Sequence, residues 1–304
     1  MSLLVIGTVA FDAIETPFGK TDKIVGGAAT YASLAASYFY KKTKIVAVVG
    51  DDFPSADIQL LKSRGIDVEG LQIKEGEKSF FWSGKYHNDM NSRDTLITEL
   101  NVLADFDPII PESYQDCEYL MLGNLTPQIQ QTVIKRLHKR PKLIVLDTMN
   151  FWMDIAMDDL LETIKLVDVL TINDAEARQL SGEFSLVKAA KKILTMGPQY
   201  LIIKKGEHGA LLFADDKIFS APALPLADVF DPTGAGDCFA GGFIGYLAQV
   251  DTINFNNMKN AIIFGSALAS LCVEKFGIER IKNLSDKEIA ERVQEFVKLS
   301  RFEL

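Results

Sequence analysis

Short unbroken apolar runs alternate along this chain with longer stretches in which apolar residues recur at helical spacing. Leu3 to Val9 is the first such run and reads as a strand buried on both faces, the habit of parallel sheets. Gly26-Gly27-Ala28-Ala29-Thr30-Tyr31-Ala32 then opens a helix of small residues reaching about Tyr40. Lys44 to Val49 is the next strand, followed by Gly50-Asp51-Asp52, a helix to Arg64 and the turn Gly65-Ile66-Asp67. Further strands are predicted over Tyr119 to Leu122, Leu143 to Leu146, Val167 to Ile172, Tyr200 to Lys204 and Ala210 to Phe213. Phe239, Phe243, Tyr246 and Leu247 mark a helix, Asn254 to Val273 a long small-residue helix, and Leu284 onward an amphipathic terminal one. This β-α-β rhythm predicts an α/β fold, a three-layer α/β/α sandwich around a mostly parallel sheet.

Two stretches break the rhythm. Ala13 to Ile24 reads as an exposed hairpin-like excursion, and Val68 to about Ile97 is strand-like and aromatic (Phe80, Phe81, Trp82, Tyr86) with no intervening helix. Together they predict a small β-sheet lid on a single domain spanning 1–304, with lid segments at about 13–24 and 68–97. Such a sheet is also a candidate homodimer surface, and its aromatics suit lid-core or dimer contacts better than ligand contacts.

At 304 residues, 48% apolar and 24% charged, the chain has room for one large domain and a small appendage. A net charge of −9 argues against a nucleic-acid partner. The three cysteines, Cys117, Cys238 and Cys272, show no CxxC spacing and fit a reducing, cytoplasmic setting. Leu3-Leu4-Val5-Ile6 follows the start too closely for a signal peptide, and no apolar run reaches bilayer length, so no membrane partner is expected. The histidines do not cluster as a metal site would require.

The chemistry concentrates in Asp231-Pro232-Thr233-Gly234-Ala235-Gly236-Asp237, a Gly-rich turn running into a helix. The free N–H groups of Gly234, Ala235 and Gly236 at a helix start make an anion hole for a phosphate. Asp237 beside that anion makes sense as a base taking a proton from a hydroxyl, although a lone GxGD reads equally as an N-cap after a turn. Asp12, after the first apolar run, is either a turn residue or an acceptor of hydrogen bonds from a sugar diol. Gly26 and Gly27 suit either tight packing or backbone approach to a ligand. The polar run Tyr86 to Asp94, with His87, Asn88 and Arg93, reads as a solvated loop or as a determinant of acceptor choice. Asn124, Asp147 and Asn150 follow strand ends, where ligands gather in such sheets. Asn173 fits an N-cap. Gly19-Lys20-Thr21 is not a Walker A loop, because Ile14 stands where that motif needs glycine.

Asp231 to Asp237 resembles the D-T-x-G-A-G-D signature of the ribokinase-like (PfkB) family of carbohydrate and nucleoside kinases, with Pro232 in place of Thr. Gly26-Gly27, Asn173-x-x-Glu176 and the K-x-G-x-x-G segment ending at Gly209 follow that family's order along nearly the whole chain. The resemblance implies ATP-dependent transfer of the γ-phosphoryl group to a hydroxyl of a small sugar or sugar-like acceptor, with a nucleoside kinase as the alternative. It implies Asp237 as base, and Asp12, Gly26, Gly27, Tyr31 and Asn124 toward the acceptor. Asn173, Lys205, Gly206, Gly209 and Thr233 would lie beside the nucleotide, and Glu176 would act on Mg2+ through water. A monovalent cation is a further candidate cofactor. Tyr31 takes the place of the family's Asn, and Ala10 that of another Asn frequent in sugar kinases. A non-catalytic sugar or nucleotide sensor is the first rival reading, disfavoured by the intact base and anion hole. The second is a dinucleotide-dependent oxidoreductase, disfavoured because Gly7-Thr8-Val9 lacks the G-x-G-x-x-G fingerprint.

Overall fold

The computed structural model describes residues 2–301 and residue 303. Its strands are β1 (Leu3–Ile6), β2 (Ala10–Thr16), β3 (Gly19–Lys20), β4 (Ile24–Gly26), β5 (Thr43–Gly50), β6 (Asp67–Lys74) and β7 (Phe81–Tyr86). There follow β8 (Arg93–Glu99), β9 (Tyr119–Leu122), β10 (Leu143–Asp147), β11 (Val169–Asn173), β12 (Tyr200–Lys204), β13 (Ala210–Ala214) and β14 (Lys217–Ala221). The helices are α1 (Ala28–Ser37), α2 (Ser55–Ser63), α3 (Pro127–Arg136), α4 (Asn150–Ile155) and α5 (Met157–Ile164). Then come α6 (Asp174–Ser181), α7 (Leu186–Leu194), α8 (Ala235–Val250), α9 (Phe255–Cys272) and α10 (Asp286–Ser300).

Nine strands form the central sheet in the order β14-β13-β12-β11-β10-β9-β1-β5-β6. All pairs from β6 to β12 are parallel, and the β13–β14 hairpin closes one edge antiparallel. The side-chain period of two divides each buried strand between two cores. Leu3 and Val5 of β1 pack with Tyr31 and Ala32 of α1, Phe243 and Ile244 of α8 and Ala261 of α9. Leu4 and Ile6 pack on the other side with Val133 of α3, Leu160 of α5 and Ile193 of α7. The three-layer expectation holds, with the sheet covered on both faces as parallel strands require. Glycine lets α8 lie directly on α1, since a β-carbon at Gly241 would stand 2.1 Å from Ala32 O. Among the described residues no helix is long and apolar enough to cross a membrane.

The second sheet runs β3-β2-β7-β8, with β4 pairing the start of β2 on the same edge as β3, opposite β7. Its extent differs from the expected 68–97 segment. Val68 to Lys74 belongs to β6, which pairs parallel with β5 and completes a β5-α2-β6 unit before the chain crosses to the small sheet. β1 ends at Ile6 rather than Val9, so Asp12 lies inside β2 of the small sheet and not at the mouth of a central strand. Gly26 likewise ends β4 instead of opening α1, which starts at Ala28 and stops at Ser37. Gly27 between them takes φ 96°, a left-handed value open to glycine.

Candidate active site

Asp231 anchors the turn before α8. It is 1% exposed, and its two oxygens accept from Thr233 N at 2.9 Å and from Gly277 N at 2.8 Å. Gly234 then takes φ 76°, and α8 starts at Ala235. A β-carbon at Gly234 would stand 2.5 Å from the Tyr31 ring, so both the dihedral and the space call for glycine. Of the three expected anion-hole amides, Ala235 N–H donates to Pro232 O at 3.2 Å. Those of Gly234 and Gly236 have no such bond among the described residues, and they stand at the positive end of a 16-residue helix.

Asp237 sits in the first turn of that helix. Burial, then the Asp147 charge, pushes its carboxyl up to about 7 against the pull of Lys204 and Arg93. Lys204, at the end of β12, donates to Asp147 Oδ1 at 2.8 Å, and Thr171 Oγ1 donates to the same oxygen at 2.9 Å. The Lys204 ammonium also lies 3.2 Å from where a β-carbon of Gly236 would stand, hence against the first turn of α8. Burial works to lower its pKa, but the charges of Asp147, Glu176 and Asp237 outweigh it and the net shift is upward. Burial pushes Glu176 up to about 7, with Lys204 pulling the other way. Three carboxylates and one lysine thus converge at the carboxyl ends of β10, β11 and β12, beside the start of α8. Lys205, expected beside the nucleotide, opens the β12–β13 connection and donates its backbone N–H to Gly209 O. Lys204 opens the same K-x-G-x-x-G run, so the sequence signal for it lay one residue away.

Asp12 reaches this site from the small sheet and is 5% exposed. Burial, then the charges of Asp231 and Asp237, pushes its carboxyl up to about 8, with the Gly27 N–H pulling it down. Gly26 is the floor on which it lies, since a β-carbon there would stand 1.8 Å from Asp12 Oδ2. Gly27 packs against Thr8, whose carbonyl a β-carbon would meet at 2.4 Å, and Thr8 Oγ1 and O accept from the first amides of α1. Both glycines therefore serve close packing within the chain.

The other expected contact residues pack or bond within the chain. Tyr31 is 1% exposed beneath the Gly234 turn, its hydroxyl without a hydrogen-bond partner among the described residues. The Gly234 turn already covers that ring, which stands in the core and not at an open acceptor site. Asn124 uses its amide on α4 and the residue before it, accepting from Trp152 Nε1 at 2.7 Å and facing Met149 Sδ at 3.0 Å. Asn173 is the N-cap of α6 in a capping box, its Oδ1 accepting from Glu176 N at 2.8 Å and its own N donating to Glu176 Oε2 at 2.7 Å. Thr233 Oγ1 donates to Tyr86 Oη at 3.1 Å, which ties the turn before α8 to the small sheet. Gly209 packs against Ala221 O, and Gly206 lies under Asn91 of the β7–β8 turn. His87 in that turn faces Asp94 at the surface, and the charge of Arg93, the first residue of β8, pulls down the carboxyls of Asp237 and Glu176.

A helix start with open amides, a carboxylate in its first turn and a lysine opposite, at the carboxyl ends of parallel strands, has the geometry that suits phosphoryl transfer. Residues 2–283 match the model of the pfkB family carbohydrate kinases, and the chain belongs to that family. It is 33% identical over 250 residues to the cytidine kinase of Thermococcus kodakarensis, covering 80% of this chain and 87% of that one. It is 26% identical over 297 residues to the nucleoside kinase of Methanothermobacter thermautotrophicus, covering 91% of each. An E. coli ribokinase-fold structure in complex with ATP and Mg2+ matches over 98% of this chain and 99% of its own, with TM-score 0.78 and 19% identity. The fold is that of the ribokinases, and the protein is a kinase. The oxidoreductase reading falls with that assignment.

Proposed function

We propose that this kinase moves the γ-phosphoryl group of ATP to a hydroxyl of a sugar or nucleoside. The carrying observation is Asp237 in the first turn of α8, flanked by the open amides of Gly234 and Gly236 and faced by Lys204. Asp12 holds acceptor hydroxyls, and Asp237 takes the proton from the attacking oxygen. The α8 amides and Lys204 stabilise the charge that builds on the transferring group, with Asp147 holding Lys204 in place. The small sheet acts as a lid: Tyr86 meets Thr233, and Thr16 Oγ1 donates to Phe230 O at 3.0 Å, closing the pocket over the acceptor and excluding water.

The relatives named for nucleoside acceptors and the E. coli complex with ATP and Mg2+ support this reading. Mg2+ would neutralise charge on the nucleotide phosphates. The donors fit it: Asp147 and Glu176 lie in one site beside Lys204 and offer the carboxylate oxygens that Mg2+ takes. A hydrated ion on phosphate oxygens, with Glu176 reached through water, suits such a site. A monovalent cation is a further candidate cofactor, and Asp231, whose buried carboxylate accepts from the amides of Thr233 and Gly277, is a candidate to hold it. Homodimerisation through the lid is supported by β8, exposed along its whole length and carrying Leu96 and Ile97.

An ADP-release assay with Mg-ATP over sugars, sugar acids, inositols and nucleosides tests the reading, repeated with potassium replaced by tetramethylammonium. Asp237→Asn should keep the fold and lose roughly 10²–10⁴ in kcat. Near-native kcat in that variant would sink the mechanism, and sedimentation of the native chain reads the dimer.

A further inference from the structure

The lid carries an aromatic side chain that phosphoryl transfer leaves without a role. Cross-strand register sets Asp12 of β2 opposite Trp82 of β7, so both side chains leave the sheet on one face. Ile14 and Gly84 share that face, as do Tyr86 and Arg93. It is the face turned toward the catalytic turn, because Ile14 is fully buried and the Tyr86 hydroxyl reaches Thr233. The indole lies along it. A β-carbon at Gly84 would stand 2.2 Å from an indole carbon, so glycine is what lets the ring extend over residue 84. Trp82 Nε1 donates to Thr95 Oγ1 at 3.3 Å, and the Arg93 guanidinium stands 5.7 Å from the ring centroid. The ring is therefore oriented on three sides and yet remains half-exposed.

We infer that Trp82 is a stacking platform for the planar base of a nucleoside acceptor. The inference rests on the kinase reading and names the acceptor class within it. Spacing along the strand carries the choice. The ring covers the row of Ile14 and Gly84, one side-chain repeat and roughly 7 Å along the strand from the row that holds Asp12. A diol alone is satisfied at Asp12 and leaves the indole uncovered, whereas a pentose bearing a flat heterocycle spans both. Stacking on an indole accepts any heteroaromatic ring, and the hydroxyl of Thr95 and the guanidinium of Arg93 offer polar partners for its edge.

The test pairs turnover with a signal that does not need it. ADP release is measured with cytidine, uridine, adenosine, guanosine, D-ribose and D-fructose, for the native enzyme, Trp82→Phe and Trp82→Ala. Trp82→Ala should raise the KM of the accepted nucleoside roughly ten- to one-hundred-fold, with Trp82→Phe between, and leave the KM of Mg-ATP unchanged. The chain has two tryptophans, so Trp152→Phe leaves Trp82 as the sole indole emitter. Its fluorescence should be quenched by the nucleoside and not by D-ribose. Turnover of free sugars alone, or a nucleoside KM that Trp82→Ala does not move, overturns the platform and leaves the kinase intact. Nucleoside-dependent quenching with no ADP release upholds the platform as a binding surface and overturns the proposed transfer to that nucleoside. Neither quenching nor turnover overturns both.

Discussion

Lys204→Met is the perturbation that separates an electrostatic role in catalysis from a structural ion pair. Two unit charges 4 Å apart at an effective dielectric of ~20 interact by about 4 kcal/mol, so a lysine facing a phosphoryl oxygen binds ground and transition states alike. Only the part that grows as charge builds reaches kcat. If about half does so, kcat falls roughly 10–10²-fold and kcat/KM by up to roughly 10³. A second readout follows from titration. Asp237 must be unprotonated to act as base, so kcat/KM is low in acid and rises through the carboxyl's value of about 7. Lys204 is among the groups holding that value down, so its removal should move the rising limb to higher pH. Asp147 would lose a partner at 2.8 Å where its own side chain is 9% exposed, lowering stability by about 3 kcal/mol. The added change Asp147→Asn should recover the melting temperature while leaving kcat low. The assay is ADP release from about pH 5.5 to 9, with melting curves alongside. A kcat within about threefold of the parent, with the acid limb unmoved, would refute the argument.

Two further substitutions test burial. The folded-state pKa of Asp12 is raised from 3.8 to about 8, so the folded protein holds a proton that the unfolded chain has already lost between those values. Its contribution to stability is greatest in acid and declines as pH rises to about 8, whereas asparagine carries no such term. Asp12→Asn should therefore gain melting temperature over the parent progressively from about pH 5 to 8, level off above, and raise the acceptor KM; a pH-independent difference would count against it. Tyr31→Phe removes a buried hydroxyl that lacks a partner among the described residues, and should raise the melting temperature by roughly 2–5 °C with the acceptor KM unchanged. A higher acceptor KM would return Tyr31 to the pocket.

The sequence alone determined the layers and the order of the motifs. Strands buried on both faces are unbroken apolar runs, and Tyr119–Leu122 and Tyr200–Lys204 were legible to the residue for that reason. The Asp231–Asp237 turn was legible because a left-handed residue before a helix demands glycine, a demand local to the chain. Tertiary structure decided what those local signals leave open. Whether Val68–Lys74 joins the lid or the central sheet depends on its partner β5, which residue spacing does not encode. Side-chain direction at the end of β12 set Lys204, not Lys205, among the carboxylates, and packing under Gly234 drew Tyr31 into the core. Arg93 comes from a polar run that reads as a solvated loop or a determinant of acceptor choice, and Trp82 from an aromatic strand whose side chains read as lid-core or dimer contacts. Only the packing of the small sheet brings them toward the site, because Trp82 pairs across from Asp12 and Arg93 acts on Glu176 and Asp237, segments far apart in the chain, and local periodicity carries no information at that range.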